Sequence, residues 1–164
     1  MNTQNHQISP KGRLYLVTGA SGYVGGRLVR DLLSDKKRVR VFVRDAKKIQ
    51  GKSWASHVEV IEGNASNAQD LDRALAGVNT AYYLLHSINV ATDFGDIESA
   101  MARSFALASE AAHVAQIIYL GGIANDENRS RHLTSRMNTG SQLASTSVPV
   151  LELRAGIIIG SGSA

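Results

Sequence analysis

Three glycines, at positions 19, 22 and 25 of Thr18-Gly19-Ala20-Ser21-Gly22-Tyr23-Val24-Gly25, stand at a spacing that can cradle a phosphate. An apolar run, Leu14-Tyr15-Leu16-Val17, precedes them and an amphipathic stretch, Val24 to Leu33, follows. Strand, glycine turn, helix is the context that gives such a pattern meaning. The first amide N–H groups of a helix have no partner inside it, and its dipole favours an anion there. Gly19 and Gly22 let the backbone turn sharply and approach a pyrophosphate, and Gly25 lets the helix pack close to the strand. With Ser21, Tyr23 and Val24 completing the turn, the chemistry implied is the holding of a dinucleotide.

Charge is the second chemical signal. Ten basic residues lie between Arg27 and Lys52, against three acids, so this window carries +7 while the rest of the chain carries −3. Two readings stay open: a solvated helix face and loop, or a positive collar for an extra phosphate. Aromatic residues make up 5% of the chain. With no recognised nucleic-acid motif either, no nucleic-acid partner is expected. The absence of cysteine excludes disulfides, thiolate metal sites and a cysteine nucleophile. Residues 1–12 are polar and carry no secretory signal. No apolar run approaches the roughly 18 residues of a membrane span, so neither a membrane nor a metal is expected, and the expected location is cytoplasmic.

The elements that must position the glycine turn alternate in type. Short β-rich runs fall at Arg13–Thr18, Val39–Val43, Val58–Ile61, Thr80–Leu85, Gln116–Leu120 and Val150–Arg154. Helical periodicity falls at Gly22–Ser34 (Val24, Leu28 and Leu32 on one face), Ala68–Ala76 with Asn67 as N-cap, Asp93–His113 and Arg129–Ala144. The Arg44–Ser56 stretch, carrying Trp54, reads as a polar loop. Alternating strands and helices imply parallel pairing through right-handed crossovers, and nearly continuous apolar strands imply a sheet covered on both faces. The expected fold is α/β: a doubly wound parallel sheet, strand order 3-2-1-4-5-6, with helices on both faces and the glycine turn at the switch point. One domain, 13–164, follows a loose tail at 1–12.

Five ordered blocks carry a family resemblance: Thr18-Gly19-x-x-Gly22-x-x-Gly25; Val41-Phe42-Val43-Arg44-Asp45; Ala81-Tyr82-Tyr83-Leu84-Leu85-His86-Ser87; Tyr119-Leu120-Gly121-Gly122; and Leu153-Arg154-Ala155-Gly156-Ile157-Ile158-Ile159-Gly160-Ser161-Gly162-Ser163. The chain resembles the atypical short-chain dehydrogenase/reductases, particularly the NmrA-like, nucleoside-diphosphate-sugar-epimerase-like group, from Arg13 to its end. The resemblance implies a Rossmann domain that binds NADP or NAD. Arg44 ends the second strand, where an NAD-preferring relative carries an acid for the ribose hydroxyls. A guanidinium there suits the 2′-phosphate of NADP, while Asp45 is able to reach the ribose and repel that phosphate. Asn64 stands where relatives contact the adenine, and Leu84, Leu85 and His86 would line the central portion of the cofactor. His86 reads equally as a strand-end histidine satisfied by backbone.

The resemblance weakens at the catalytic residues. Such enzymes use Ser or Thr after the fifth strand and Tyr-x-x-x-Lys on the next helix, where the tyrosine exchanges a proton and the lysine lowers its pKa. Gly121-Gly122 stands at the serine position, and His132-Leu133-Thr134-Ser135-Arg136 keeps the spacing with His for Tyr and Arg for Lys. Either His132 relays a proton near pH 7 while Arg136 holds the nicotinamide ribose or substrate, or His132 is a surface helix residue in a polar run. Family members continue beyond the sixth strand to close over a substrate; this sequence ends at Ala164, so that portion is expected to be missing. Functionally the reading is an NADP-binding domain of a reductase-like protein acting on an unknown small molecule, or a non-catalytic NAD(P)-binding sensor. The resemblance also suggests a homodimer through the two long helices.

Overall fold

A computed structural model describes residues 12–85, 94–123, 131–156 and 158–160, with side chains left out at 94 and 131–133. Six parallel strands form one sheet in the order β3-β2-β1-β4-β5-β6: β1 (Leu14–Thr18), β2 (Arg38–Val43), β3 (Glu59–Glu62), β4 (Thr80–Tyr83), β5 (Gln116–Gly122) and β6 (Val150–Ala155). This is the expected doubly wound Rossmann topology. Four helices connect the strands: α1 (Tyr23–Ser34), α2 (Ala68–Leu75), α3 (Phe94–Ala111) and α4 (Arg131–Leu143). The tail at 1–11, His86 and the chain end at 161–164 lie outside the described residues.

Two apolar clusters sandwich the sheet, because alternate strand residues face opposite sides. Leu14, Leu16, Tyr83, Ile117 and Tyr119 pack against α2, α3 and α4. Val17, Val39, Val41 and Val43 pack against α1. On that second face the Arg44–Ser56 segment departs from the polar loop expected. It folds into two short 3₁₀ turns, 46–48 and 55–57, and buries Ile49 (2% exposed) and Trp54 (4% exposed) beside α1.

The α1 stripe is also rotated from the expected one. Its buried residues are Gly25, Val29 and Leu32, while Val24 and Leu28 are only half-buried. Close approach of Gly25 to the strand sets that rotation and leaves Val24 facing the ligand groove. Coverage of both sheet faces fails at the edges. Val60 of β3 and Leu151 and Leu153 of β6 are exposed, since α1 packs chiefly on β1 and β2. No described helix is long and apolar enough to cross a membrane.

Candidate dinucleotide site

The site begins where β1 and β4 part. Their ladder ends at Val17 opposite Tyr82, and the buried Thr18 hydroxyl bridges the gap. It donates to the Tyr82 carbonyl (3.1 Å) and accepts from the Leu84 N–H (2.9 Å). One side chain thus fixes both lips of the switch point. Immediately after it Gly19 turns through φ +66°. A Cβ on Gly19 would lie 2.6 Å from the Leu84 carbonyl oxygen, so space and dihedral angle both demand glycine.

Gly22 is the N-cap of α1, and no side chain caps the helix. The Gly22 N–H closes back on the Gly19 carbonyl (3.0 Å), and the first intrahelical bond runs from Gly26 N–H to the Gly22 carbonyl (3.0 Å). The amides of Tyr23, Val24 and Gly25 therefore precede the helical ladder and are available to an anion. No acid occupies the first turn. A Cβ on Gly25 would stand 2.8 Å from the Gly19 carbonyl carbon and 2.9 Å from the Ala20 Cα. The glycine turn is a cradle that side chains would fill, and a pyrophosphate fits it.

A groove of about 570 Å³ opens above this turn. Gly19, Ser21, Gly22, Tyr23, Val24, Gly25, Arg44, Leu84, Leu85 and Arg136 all line it, together with Asp45, Lys48, Leu120 and Ile158. A second cavity of about 300 Å³ shares Arg44 and Leu85 with the groove and holds Asn64, Ala65, Ile97, Glu98 and Met101. Arg136 is thus brought to the groove from α4, one layer away. The His132 side chain lies outside the described residues.

Arg44 and Asp45 have different surroundings in the structure. Asp45, its neighbour, turns its carboxylate onto the Lys47 N–H (2.9 Å) and caps the following 3₁₀ turn. The next amide, Ala46 N–H, donates to the Glu62 carboxylate (2.9 Å). Arg44 is exposed and makes no hydrogen bond among the described residues, and Lys48 joins it at the groove. Two of the ten cations in the basic window are committed elsewhere. Arg38 and Arg40 pair with Glu59 at 3.0 and 2.8 Å, and Arg40 also donates to the Ala74 and Ala76 carbonyls (2.9 and 2.7 Å). Those contacts close the C-terminal end of α2, so the collar is smaller than the sequence count suggests.

The Asn64 turn is held from below. Its N–H donates to the Asp70 carboxylate (2.8 Å) and its side-chain carbonyl accepts from Ser66 N–H (3.0 Å). The Asn64 amide bond and the Arg73 ion pair (2.7 Å) hold the Asp70 carboxyl below the usual carboxylate range. With its carbonyl so used, Asn64, which lines the cavity, keeps its NH₂ group as a donor.

Several residues of this region were not singled out from the sequence. Burial pushes the Tyr119 phenol up to about 12, with Arg136 opposing that shift. Its O–H donates to the Arg136 carbonyl (3.0 Å), so Tyr119 pins the turn of α4 that presents Arg136. Ser135 donates to Glu98 (2.5 Å), tying α4 to α3. At the expected serine position Gly121 packs on the Glu152 side chain, whose carbons lie 3.3 Å from where its Cβ would be. The signal for Thr18 was its place directly before the glycine turn; Tyr119 and Glu98 left none, because their roles depend on contacts between elements distant in sequence. Among the described residues no cluster of His, Asp and Glu can hold a metal.

A family model described as NAD(P)H-binding matches residues 19–147. The chain belongs to the NAD(P)H-binding family. Its cofactor is accordingly NADP or NAD. Similar solved structures include a triphenylmethane reductase from Citrobacter sp. complexed with NADP(H), 23% identical, TM-score 0.72, matching 85% of this chain and 48% of that one. A nucleoside-diphosphate-sugar epimerase from Staphylococcus aureus is 19% identical with TM-score 0.73, over 85% of this chain and 49% of the other. A short-chain dehydrogenase/reductase superfamily protein from Agrobacterium tumefaciens with bound NAD is 19% identical with TM-score 0.70, over 87% and 48%. The chain spans about half the length of these proteins. A search of functionally curated proteins finds no match.

Proposed function

We propose that this chain is the NADP-binding part of an atypical short-chain reductase-like protein that acts on a small molecule. The observation that carries the choice of NADP is Arg44, exposed at the end of β2 while Asp45 is occupied by its own turn. In this reading the Tyr23, Val24 and Gly25 amides hold the pyrophosphate. Arg44 and Lys48 hold the 2′-phosphate. Asn64 and the apolar cavity beside it take the adenine, and Leu84, Leu85 and His86 flank the centre. Bound nicotinamide supplies or accepts a hydride. Arg136 orients the ribose or substrate, and His132 relays the proton near neutral pH. The cytoplasm and a homodimer through α3 and α4 complete the proposal.

A non-catalytic NAD(P) sensor is the second reading. It is favoured by Gly121, which stands where the serine that positions a substrate would be and packs on the Glu152 side chain. Calorimetric titration separates the cofactors. NADP is expected to bind about tenfold or more tighter than NAD, a difference that Arg44→Ala removes. Tighter NAD binding, or none of either, refutes the Arg44 argument. NADPH oxidation against a carbonyl and quinone panel, with His132→Ala and Arg136→Ala alongside, tests catalysis; activity unchanged in both variants removes these residues from the mechanism.

A further inference from the structure

Behind the glycine turn, on the outer side of α1, lies a separate cleft of about 530 Å³. One wall is α1, which contributes Arg27 and Arg30 three residues apart on one face. The other is the folded segment before β3, which contributes Lys52, Ser53 and Trp54. Backbone bonds from Lys52 N–H to the Ile49 carbonyl (2.9 Å) and from Ala55 N–H to the Lys52 carbonyl (3.0 Å) fix that segment. No carboxylate lines the cleft.

Two features make it a built site rather than a stretch of basic surface. The first is the state of its donors. Arg27 is held with its guanidinium 4.0 Å from the centre of the Tyr23 ring, a cation–π contact that fixes a long side chain in place. Arg30 and Lys52 pair with no carboxylate among the described residues. The second is Trp54. It is 4% exposed, yet its indole N–H makes no hydrogen bond among the described residues and is not sealed inside the core. Instead its Nε1 borders the cleft beside Gly26, 4.0 Å from where a Cβ on that residue would stand. A donor on a buried ring normally finds a partner.

We infer that this cleft binds a phosphate group, held by Arg27, Arg30 and Lys52 and by the Trp54 indole N–H. Three cations and a neutral donor around one small space suit a multiply charged tetrahedral oxyanion, which accepts from several directions at once. With a dinucleotide's 2′-phosphate placed on Arg44 and Lys48, the phosphate held here belongs to an independent phosphate compound, although the cleft shares Ser21, Gly22 and Tyr23 with the groove. Binding here does not require that the groove hold a dinucleotide.

Trp54 is the chain's only tryptophan, so its fluorescence reports the cleft directly. The full chain is titrated with inorganic phosphate at constant ionic strength, balanced with chloride. A saturable change is expected, and Arg30→Gln combined with Lys52→Gln should weaken it about tenfold or more while leaving the unfolding midpoint unchanged. By calorimetry, Trp54→Phe should weaken phosphate binding severalfold in a protein that remains folded by circular dichroism. A response that never saturates, or that the double variant leaves unchanged, overturns the inference. The titration is repeated with saturating NAD and with NADP. Persistence under both supports an independent phosphate, and loss under NADP alone overturns the inference, because it puts a 2′-phosphate in the cleft. Loss under NAD overturns the inference, because it puts the phosphate on the glycine turn. Should neither dinucleotide bind, the phosphate titration still decides the question.

Discussion

Gly25 and Gly26 are adjacent in one helix, yet alanine should act on them in opposite directions. A methyl at Gly25 would be set 2.8 Å from the Gly19 carbonyl carbon and 2.9 Å from the Ala20 Cα. Comfortable carbon–carbon contact is about 3.5–4.0 Å, so α1 must lift by roughly 0.7 Å or more. Nothing flexible absorbs that shift, because the obstructing atoms are backbone. Overpacking of this kind costs about 1–3 kcal/mol, or roughly 3–10 °C in melting temperature for a domain of this size. Lifting α1 also moves the Tyr23, Val24 and Gly25 amides off their anion, and losing one charge-assisted bond weakens NADP binding about tenfold or more. At Gly26 the same methyl would meet the Ala20 carbonyl oxygen at 3.4 Å and the Trp54 Nε1 at 4.0 Å. These are near-ordinary contacts, so Gly26→Ala should raise stability by about 0.5–1 kcal/mol through helix propensity and lower unfolded-state entropy. Chemical denaturation and calorimetric NADP titration of both variants give the comparison. Equal stability and equal affinity in the two variants would show that the helix does not depend on its close crossing with the turn.

Two further outcomes follow from the hydrogen bonds. Burial works to raise the Glu59 pKa, but the Arg40 and Arg38 guanidinium bonds outweigh it and leave it lowered. A depressed folded value means that Glu59 stabilises the protein above its unfolded pKa and that this contribution is lost as pH falls through the folded value. Glu59→Gln should therefore be less stable at pH 7, with the gap to wild type closing in acid. Since 43% of the Glu59 side chain is exposed, solvent keeps the effect small; denaturation at a series of pH values that gives a constant gap would contradict it. Tyr119→Phe should cost about 0.5–1.5 kcal/mol and weaken cofactor binding by releasing the α4 turn that presents Arg136. An unchanged dissociation constant would limit Tyr119 to a structural role.

Much of the fold was legible because local signals and the global pattern agree. Glycine spacing after an apolar strand placed the β1–α1 junction, and Asn67 capped α2 through the Asp70 N–H (3.1 Å) as its residue type suggested. What the sequence hid were consequences of pairing between distant elements. Trp54 and Ile49 sit in a segment of polar composition, so burial there is visible only once α1 is in place. Val24, Leu28 and Leu32 match a helical period as well as Gly25, Val29 and Leu32 do, and only the contact between Gly25 and Gly19 chooses between them. Similarly, no sequence rule says that Arg38 and Arg40 spend their charge on Glu59, which lies 21 and 19 residues away in the chain and becomes their neighbour only when β3 pairs with β2.

The same distinction bears on how cofactor choice is read from the end of β2. A residue pair such as Arg44-Asp45 is ambiguous as sequence, since the two side chains favour different ribose substituents. Following each carboxylate to its donor gives the proposed preference for NADP its support. Asp45 accepts from Lys47 N–H, and Glu62 from the next strand accepts from Ala46 N–H (2.9 Å each). Both acids near the ribose position are thereby committed to backbone amides of one 3₁₀ turn. That turn also carries Lys48, which lines the groove with Arg44. On the proposed reading, cofactor choice at this strand end rests on which groups remain unpaired after the local backbone has been satisfied, and residue type alone does not record that.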